Sequence, residues 1–104
     1  MRRAEIWWAD LPSPVGSRPV VVLTRDAVLH SIGSIIVTLV TRTVRGIPTE
    51  VVLGGRQGLP VRCVANLDNM LTIPRERLKR LMGSCDLVKI KELNEAIKVS
   101  LDVS

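Results

Sequence analysis

The chain has 104 residues, and its 15 Lys and Arg against 10 Asp and Glu give it a net charge of +5. Hydrophobic residues make up 46% of it, enough for a folded core, which argues against intrinsic disorder. The sequence predicts no signal peptide and no membrane span, so we expect a cytoplasmic protein of one domain over residues 1–104. The positive charge favours an anionic partner, with nucleic acid or an acidic protein ahead of a membrane.

Strands are predicted through the first two thirds of the chain. Residues 4–11 and 34–42 are rich in β-branched or aromatic side chains, whereas residues 19–24 form an apolar run typical of a strand buried on both faces. Two further strands are predicted over residues 48–53 and 61–67.

The connections carry the residues that break regular structure. Residues 12–17 and 54–58 predict loops because they concentrate Pro, Gly and Ser. Residues 25–28 predict a short helical turn. Residues 43–47 predict a hairpin connection between the two strands that flank them.

The last third changes to a helical period. Pro74 and Gly83 are typical of the start and end of a helix over residues 74–82, and Ser84 and Asp86 can cap a longer one. That helix carries one apolar stripe at spacings of three and four, made of Leu87, Ile90, Leu93, Ile97 and Leu101. Strands first and helices last indicate an α+β domain built on a small, strongly bent sheet or open barrel.

The sequence gives little support for a metal site or for a nucleophilic catalytic residue. His30 is the only histidine and sits in a predicted turn, so we expect it at the surface. The carboxylates are scattered and no ligand spacing occurs, so no metal or cofactor is expected. Cys63 and Cys85 lack CxxC spacing, which predicts reduced, buried thiols. The segment 54–58 lacks the Lys and Ser/Thr of a phosphate-binding loop.

Basic and hydroxyl residues gather at strand ends. Arg18 precedes a buried strand, and Thr41, Arg42, Thr43 and Arg45 follow another. A guanidinium and a hydroxyl aimed at one phosphate can stabilise the charge that develops when a ribose 2′-hydroxyl attacks it. The alternative interpretation is that these arginines are solvated surface charges.

Trp7 and Trp8 are the only aromatic residues and point to opposite sides of the first strand. One is expected in the core, and the other can stack on a base or pack in a dimer. We favour core or interface packing for both.

Four blocks between about residues 4 and 80 carry a resemblance to the MazF/PemK family of toxins. In chain order they are Glu5-Ile6-Trp7-Trp8-Ala9-Asp10-Leu11, Val15-Gly16-Ser17-Arg18-Pro19-Val20-Val21-Val22-Leu23, Ile35-Ile36-Val37-Thr38-Leu39-Val40-Thr41 and Asn66-Leu67-Asp68-Asn69-Met70-Leu71-Thr72-Ile73. The chain departs from the family in two places: the loop before Arg18 is several residues shorter, and Asp68 stands where some relatives have Glu.

The resemblance implies a CcdB/PemK-like fold, an SH3-like barrel of bent antiparallel strands with appended helices, acting as a homodimer. It implies a metal-independent endoribonuclease that cuts single-stranded RNA at short sequences to 2′,3′-cyclic phosphate and 5′-hydroxyl ends. Arg18 would transfer a proton and stabilise the phosphate, with Thr41 as its partner. An antitoxin with an acidic tail, similar to MazE, would neutralise the enzyme.

RNA recognition would fall to two groups of residues. Asp68 and Asn69 can bond base edges of an unpaired strand. Charge and position make Arg42 and Arg45 plausible contacts for the RNA backbone, with Thr43 between them. Two alternatives stay open, because one fold can host several functions: a CcdB-like inhibitor of DNA gyrase that is not an enzyme, and a catalytically silent RNA-binding module.

Overall fold

A computed structural model, described over residues 1–104, contains one antiparallel sheet, a single helical turn and one long helix. The elements in chain order are β1 (Glu5–Ala9), β2 (Arg18–Val22), α1 (Asp26–Leu29), β3 (Ser34–Thr41), β4 (Glu50–Leu53), β5 (Cys63–Pro74), β6 (Leu78–Ser84) and α2 (Leu87–Leu101). Short 3₁₀ turns at residues 55–57 and 75–77 precede β5 and β6.

The six strands lie in the order β4-β5-β3-β2-β1-β6, and every neighbouring pair is antiparallel. β5 is the longest strand and pairs with both β3 and β4. Its register against β3 shifts between Thr38 and Leu39, whose partners are Met70 and Asn66, so residues 67–69 bulge out of the ladder. The α+β class and the C-terminal helix are confirmed.

The predicted hairpin between β3 and β4 is wrong. These strands follow each other in the chain, but β5 lies between them, pairing Val64 with both Thr41 of β3 and Val52 of β4. The segment 42–49 is therefore an open loop that crosses from β3 over β5, and most of its residues are exposed.

The helix predicted over residues 74–82 is also wrong. β5 runs to Pro74, a 3₁₀ turn follows, and Leu78–Ser84 form β6, which pairs with β1 through Ala9↔Leu78 and Trp8↔Arg80. Leu78, Leu81 and Met82 have helical spacing, yet only Leu78 is buried. Pairing along β1 provides the backbone of this segment with hydrogen-bond partners, and this tertiary gain outweighs the local pattern.

Buried side chains form two clusters on opposite faces of the sheet. One cluster of 14 residues includes Val21 and, from α2, Leu93; the other, of 10 residues, includes Val20 and Val22. Successive residues of β2 thus enter different clusters, as the alternation of side chains along a strand requires. The prediction that residues 19–24 are buried on both faces is confirmed.

Helix α2 packs on β4 and β5 with the middle of its apolar stripe. Leu93 is fully buried, whereas Leu87 and Leu101 at the ends of the stripe are 81% and 57% exposed. The Asp86 carboxylate caps the helix by accepting a hydrogen bond from the Lys89 N–H at 3.0 Å, while Ser84 belongs to β6 and caps nothing. No helix of the chain has the length and apolar character that crossing a bilayer requires.

A contact between two glycines joins the ends of the bent sheet. The 3₁₀ turn that follows β4 lies against β6, at the far edge of the sheet order. A Cβ on Gly83 would lie 1.9 Å from the Gln57 carbonyl oxygen, and one on Gly58 would lie 2.2 Å from the Met82 carbonyl oxygen. Gly58 also has a φ of +90°, which disfavours any side chain. We call this backbone-to-backbone contact the glycine seam.

Replacing Gly83 by Ala should therefore destabilise the fold. The added methyl group meets backbone on the opposite side of the seam, so we expect a loss of about 2–4 kcal/mol, at or above the usual cost of overpacking. Urea unfolding followed by circular dichroism measures the loss. Gly33→Ala is the matched control, because nothing lies within 4 Å of a Cβ at that position. Equal stability of the two variants would contradict the seam.

Candidate phosphate-binding pocket

The sheet register brings Arg18 and Thr41 together. β2 and β3 pair through Val20↔Leu39, Val21↔Thr38 and Val22↔Val37. Extending this antiparallel register by two residues places Arg18, the first residue of β2, opposite Thr41, the last residue of β3. Two residues that are distant in the chain therefore share one end of the sheet.

Both residues line an open surface pocket of ≈ 260 Å³. Its wall consists of Trp8, Ser17, Arg18, Pro19, Val40, Thr41 and Arg42. Two guanidinium groups and two hydroxyl groups are present and no carboxylate lines the pocket, so it suits an anion. Among these residues, Trp8, Ser17, Pro19 and Val40 were not predicted as site residues.

The Arg18 side chain is half-buried and held by the loop before it. One Nη donates a hydrogen bond to the Val15 carbonyl oxygen at 2.8 Å. The Nε is buried without a hydrogen-bond partner. A buried donor that lacks a partner costs free energy, and because this nitrogen is inaccessible, an anion in the pocket would have to bind the outer Nη groups.

Thr41 offers a hydroxyl proton to the pocket. Its Oγ1 accepts a hydrogen bond from the Thr43 N–H at 3.2 Å, which occupies one lone pair and leaves the hydroxyl hydrogen free. Ser17, which also lines the pocket, instead donates its hydroxyl hydrogen to Asp10 Oδ1 at 3.0 Å. Thr41 is therefore the hydroxyl in this pocket that can donate to a phosphate oxygen.

The loop that follows Thr41 is fastened by a carboxylate. Glu50 Oε1 accepts hydrogen bonds from the Arg45 and Gly46 N–H groups, each at 2.9 Å, while its Oε2 is buried without a partner. Thr43 and Arg45 are exposed on this loop and do not line the pocket, whereas Arg42 does. Sequence reasoning did not identify Glu50 as a residue that positions the loop.

Asp68 and Asn69 lie outside the pocket, in the bulge of β5. The Asp68 carboxylate accepts a hydrogen bond from the Thr49 hydroxyl at 2.7 Å, and its other oxygen lies 3.1 Å from the Ser100 hydroxyl, whose shorter contact is to the Leu67 carbonyl oxygen at 2.8 Å. It thereby ties β5 to the loop before β4 and to the last turn of α2. The structure does not bring these two residues to Arg18, and their contact with RNA bases stays a prediction.

Trp7 and Trp8 point to opposite faces of β1, as strand geometry requires. Trp7 packs against one of the core clusters and donates from its indole nitrogen to Glu5 Oε1 at 3.1 Å. Trp8 faces the other way, is half-buried, and lines the pocket. Core packing is confirmed for Trp7, and Trp8 belongs to the site.

The two cysteines and the histidine show no feature of a reactive or metal-binding site. Cys63 and Cys85 are free and buried, as predicted. Burial raises the pKa of the Cys63 thiol, against a smaller lowering by Arg42, and burial raises the pKa of Cys85 to about 11, so both are protonated at neutral pH. His30 is exposed, as expected, and no three His, Cys, Asp or Glu side chains are grouped as metal ligands.

The structure is thus a small α+β protein with an antiparallel sheet and a pocket lined by two arginines and two hydroxyl residues. Residues 2–101 match the family described as PemK-like, MazF-like toxin of type II toxin-antitoxin system. The chain belongs to this family, which confirms the resemblance found in its sequence.

Individual relatives agree with this assignment. Probable endoribonuclease MazF2 of Mycobacterium tuberculosis (strain CDC 1551 / Oshkosh) is 39% identical over 101 residues, covering 96% of this chain and 97% of the relative. Endoribonuclease MazF9 of Mycobacterium tuberculosis (strain ATCC 25618 / H37Rv) is 35% identical over 115 residues, covering 99% and 98%. The structure of Mycobacterium tuberculosis toxin MazF-mt6 superimposes with a TM-score of 0.90 at 35% identity, covering 96% and 98%. The homologues are thus MazF endoribonucleases, and the predicted enzyme class is confirmed at the level of the family.

Glu50→Ala should release the loop that carries Arg42, Thr43 and Arg45. The variant removes the acceptor of two backbone hydrogen bonds, so amide hydrogen exchange at Arg45 and Gly46 should accelerate by about tenfold or more. NMR-detected exchange measures both amides. Glu50→Gln keeps an acceptor oxygen and should retain most of the protection. Unchanged exchange in the Ala variant would contradict the role given to Glu50.

Proposed function

We propose that the protein is a metal-independent endoribonuclease that cuts single-stranded RNA at short sequences, leaving 2′,3′-cyclic phosphate and 5′-hydroxyl ends. The observation that carries the proposal is the presence of Arg18 and Thr41 in one pocket whose wall holds no carboxylate. The positive charge of Arg18 and the free Thr41 hydroxyl hydrogen both suit a phosphodiester. Membership in a toxin family with endoribonuclease relatives supports the reaction class.

The proposed reaction is a transesterification within the RNA. The ribose 2′-hydroxyl gives its proton to solvent as its oxygen forms a bond to phosphorus. The bond from phosphorus to the 5′-oxygen breaks, and the leaving oxygen takes up a proton from solvent. The phosphorane between these steps carries additional negative charge on its equatorial oxygens. The Arg18 guanidinium and the Thr41 hydroxyl donate to those oxygens, and donors fixed in advance stabilise such a state more than the ground state.

Arg18 acts in this proposal mainly through its charge and its fork of N–H groups. A guanidinium keeps its proton at neutral pH, which makes it an unusual base but a strong donor to phosphate. The proton-transfer role that the family resemblance implies for Arg18 stays a prediction.

Arg42 extends the basic surface at the edge of the pocket, and Thr43 and Arg45 continue it along the exposed loop. We assign these residues to the RNA backbone on either side of the cut. Asp68 and Asn69 would contact bases only on a strand that continues across the β5 bulge, away from the pocket.

A cognate antitoxin belongs to this proposal because the family is defined by toxin-antitoxin pairs. Complementarity with the net charge of +5 favours an antitoxin whose toxin-binding tail is acidic, similar to that of MazE. We further propose that the enzyme acts as a homodimer in the cytoplasm. Exposed apolar side chains on β3, β4 and β6, including Ile36, Val52 and Leu81, supply surface for a second copy.

The deciding experiment incubates the purified protein with a long unstructured RNA in excess EDTA. We expect discrete fragments with 5′-hydroxyl ends. Arg18→Ala should cut at least about 10²-fold more slowly, because loss of one fixed oxyanion donor typically costs that much. Gel mapping and labelling of the 5′ ends measure both results. Intact RNA with the wild-type protein would favour the gyrase-inhibitor or silent RNA-binding alternatives.

Arg18→Lys separates charge from geometry. Lysine keeps the positive charge but lacks the planar fork, so activity should fall by about tenfold or more if the guanidinium donates to two phosphate oxygens. The cleavage rate under single-turnover conditions measures the effect. A rate close to that of the wild type would contradict bidentate binding while leaving the pocket itself in place.

A further inference from the structure

A second, narrower cavity adjoins the phosphate pocket. Its volume is ≈ 130 Å³, and six of its ten lining residues are hydrophobic. The lining consists of Trp8, Pro19, Val40, Thr41, Arg42, Leu59, Pro60, Val61, Cys63 and Met82. We call this cavity the slot. The segment 59–61 before β5 and Met82 of β6 form the wall that the phosphate pocket lacks.

The slot and the phosphate pocket are parts of one depression. Five residues line both of them: Trp8, Pro19, Val40, Thr41 and Arg42. A phosphate held by Arg18 and Thr41 would therefore leave the adjacent nucleoside at the mouth of the slot. A group that is covalently attached to the phosphate is therefore positioned to enter the slot.

We propose that the slot holds one unstacked nucleobase flanking the scissile phosphate. The inference rests on the proposed function and adds a base-binding subsite to it. Single-stranded nucleic acids bind proteins by stacking bases on aromatic faces beside a positively charged path, and the half-buried Trp8 lies at the junction of the two cavities. Met82 also lines the slot, and its thioether is a soft, adaptable surface of the kind that contacts flat rings.

The slot offers few polar groups with which to read base identity. The Cys63 thiol donates to the Leu53 carbonyl oxygen at a sulfur–oxygen distance of 3.9 Å, within the protein, and Pro60 has no N–H. The Thr41 hydroxyl and Arg42 are shared with the phosphate pocket. The slot therefore selects for the presence and shape of a base, and its contribution to sequence choice is steric.

Abasic substrates test the inference with the wild-type protein. Two versions of a cleavable oligoribonucleotide are made, one with an abasic ribose on the 5′ side of the scissile phosphate and one with it on the 3′ side. Both keep the phosphate and the 2′-hydroxyl, so the chemistry is unchanged. Since base stacking on aromatic side chains is typically strong, kcat/KM should fall by about tenfold for one of the two. Equal cleavage of the intact RNA and of both abasic RNAs would overturn the inference.

A substitution that fills the slot provides a second test of the inference. Val61 lines the slot and is 42% exposed, so Val61→Trp can occupy the cavity without disturbing the core. The variant should cut the intact RNA about tenfold more slowly than the wild type does. On the abasic RNA that the wild type cuts slowly, the variant should show no further loss, because both changes remove the same contact between base and slot. Val88→Trp is the matched control: Val88 is 66% exposed and lines neither cavity.

The outcomes separate this inference from the proposed function. If no RNA is cut, both the nuclease proposal and the proposal that the slot binds a base are refuted. If RNA is cut but Val61→Trp is as active as Val88→Trp, or if its effect multiplies with that of the abasic site, the nuclease proposal stands and the base subsite is refuted. In that case an apolar side chain of a protein partner becomes the better occupant for the slot.

Discussion

The antiparallel pairing of β2 with β3 is the constraint on which the candidate site depends. It places Arg18 opposite Thr41, since the observed register pairs Val20 with Leu39. A slip by one residue would turn Arg18 to the other face of the sheet and away from Thr41. The geometry of the pocket therefore depends on the register of this strand pair.

Local sequence information was sufficient for the features that depend on local chemistry. The apolar run before Thr24 predicted a strand buried on both faces, and Asp86 was identified as a helix cap because its carboxylate bonds within its own turn. Arg18 and Thr41 were recognised through their position in family blocks, and strand pairing explains why blocks so far apart in the sequence meet.

The remaining features depend on contacts that local patterns do not contain. The segment of β6 has helical spacing, and only its pairing with β1 makes it a strand. Likewise, nothing between β3 and β4 signals that β5 will lie between them. The partners of Asp68 are 19 and 32 residues away in sequence, so its carboxylate looked free for RNA when read from the sequence alone. The wall of the slot comes from segments that meet only after the sheet bends.

The glycine seam has a consequence for the genetics of this protein. At most positions, amino-acid replacements differ in effect according to size, charge or polarity, but every replacement of Gly58 or Gly83 introduces a Cβ into the same clash. Every missense mutation at these two positions is therefore expected to destabilise the fold. In a cell where the protein is harmful, such mutations would reduce the harm by lowering the folded fraction, whatever the chemistry of the new side chain, and would leave the pocket sequence intact.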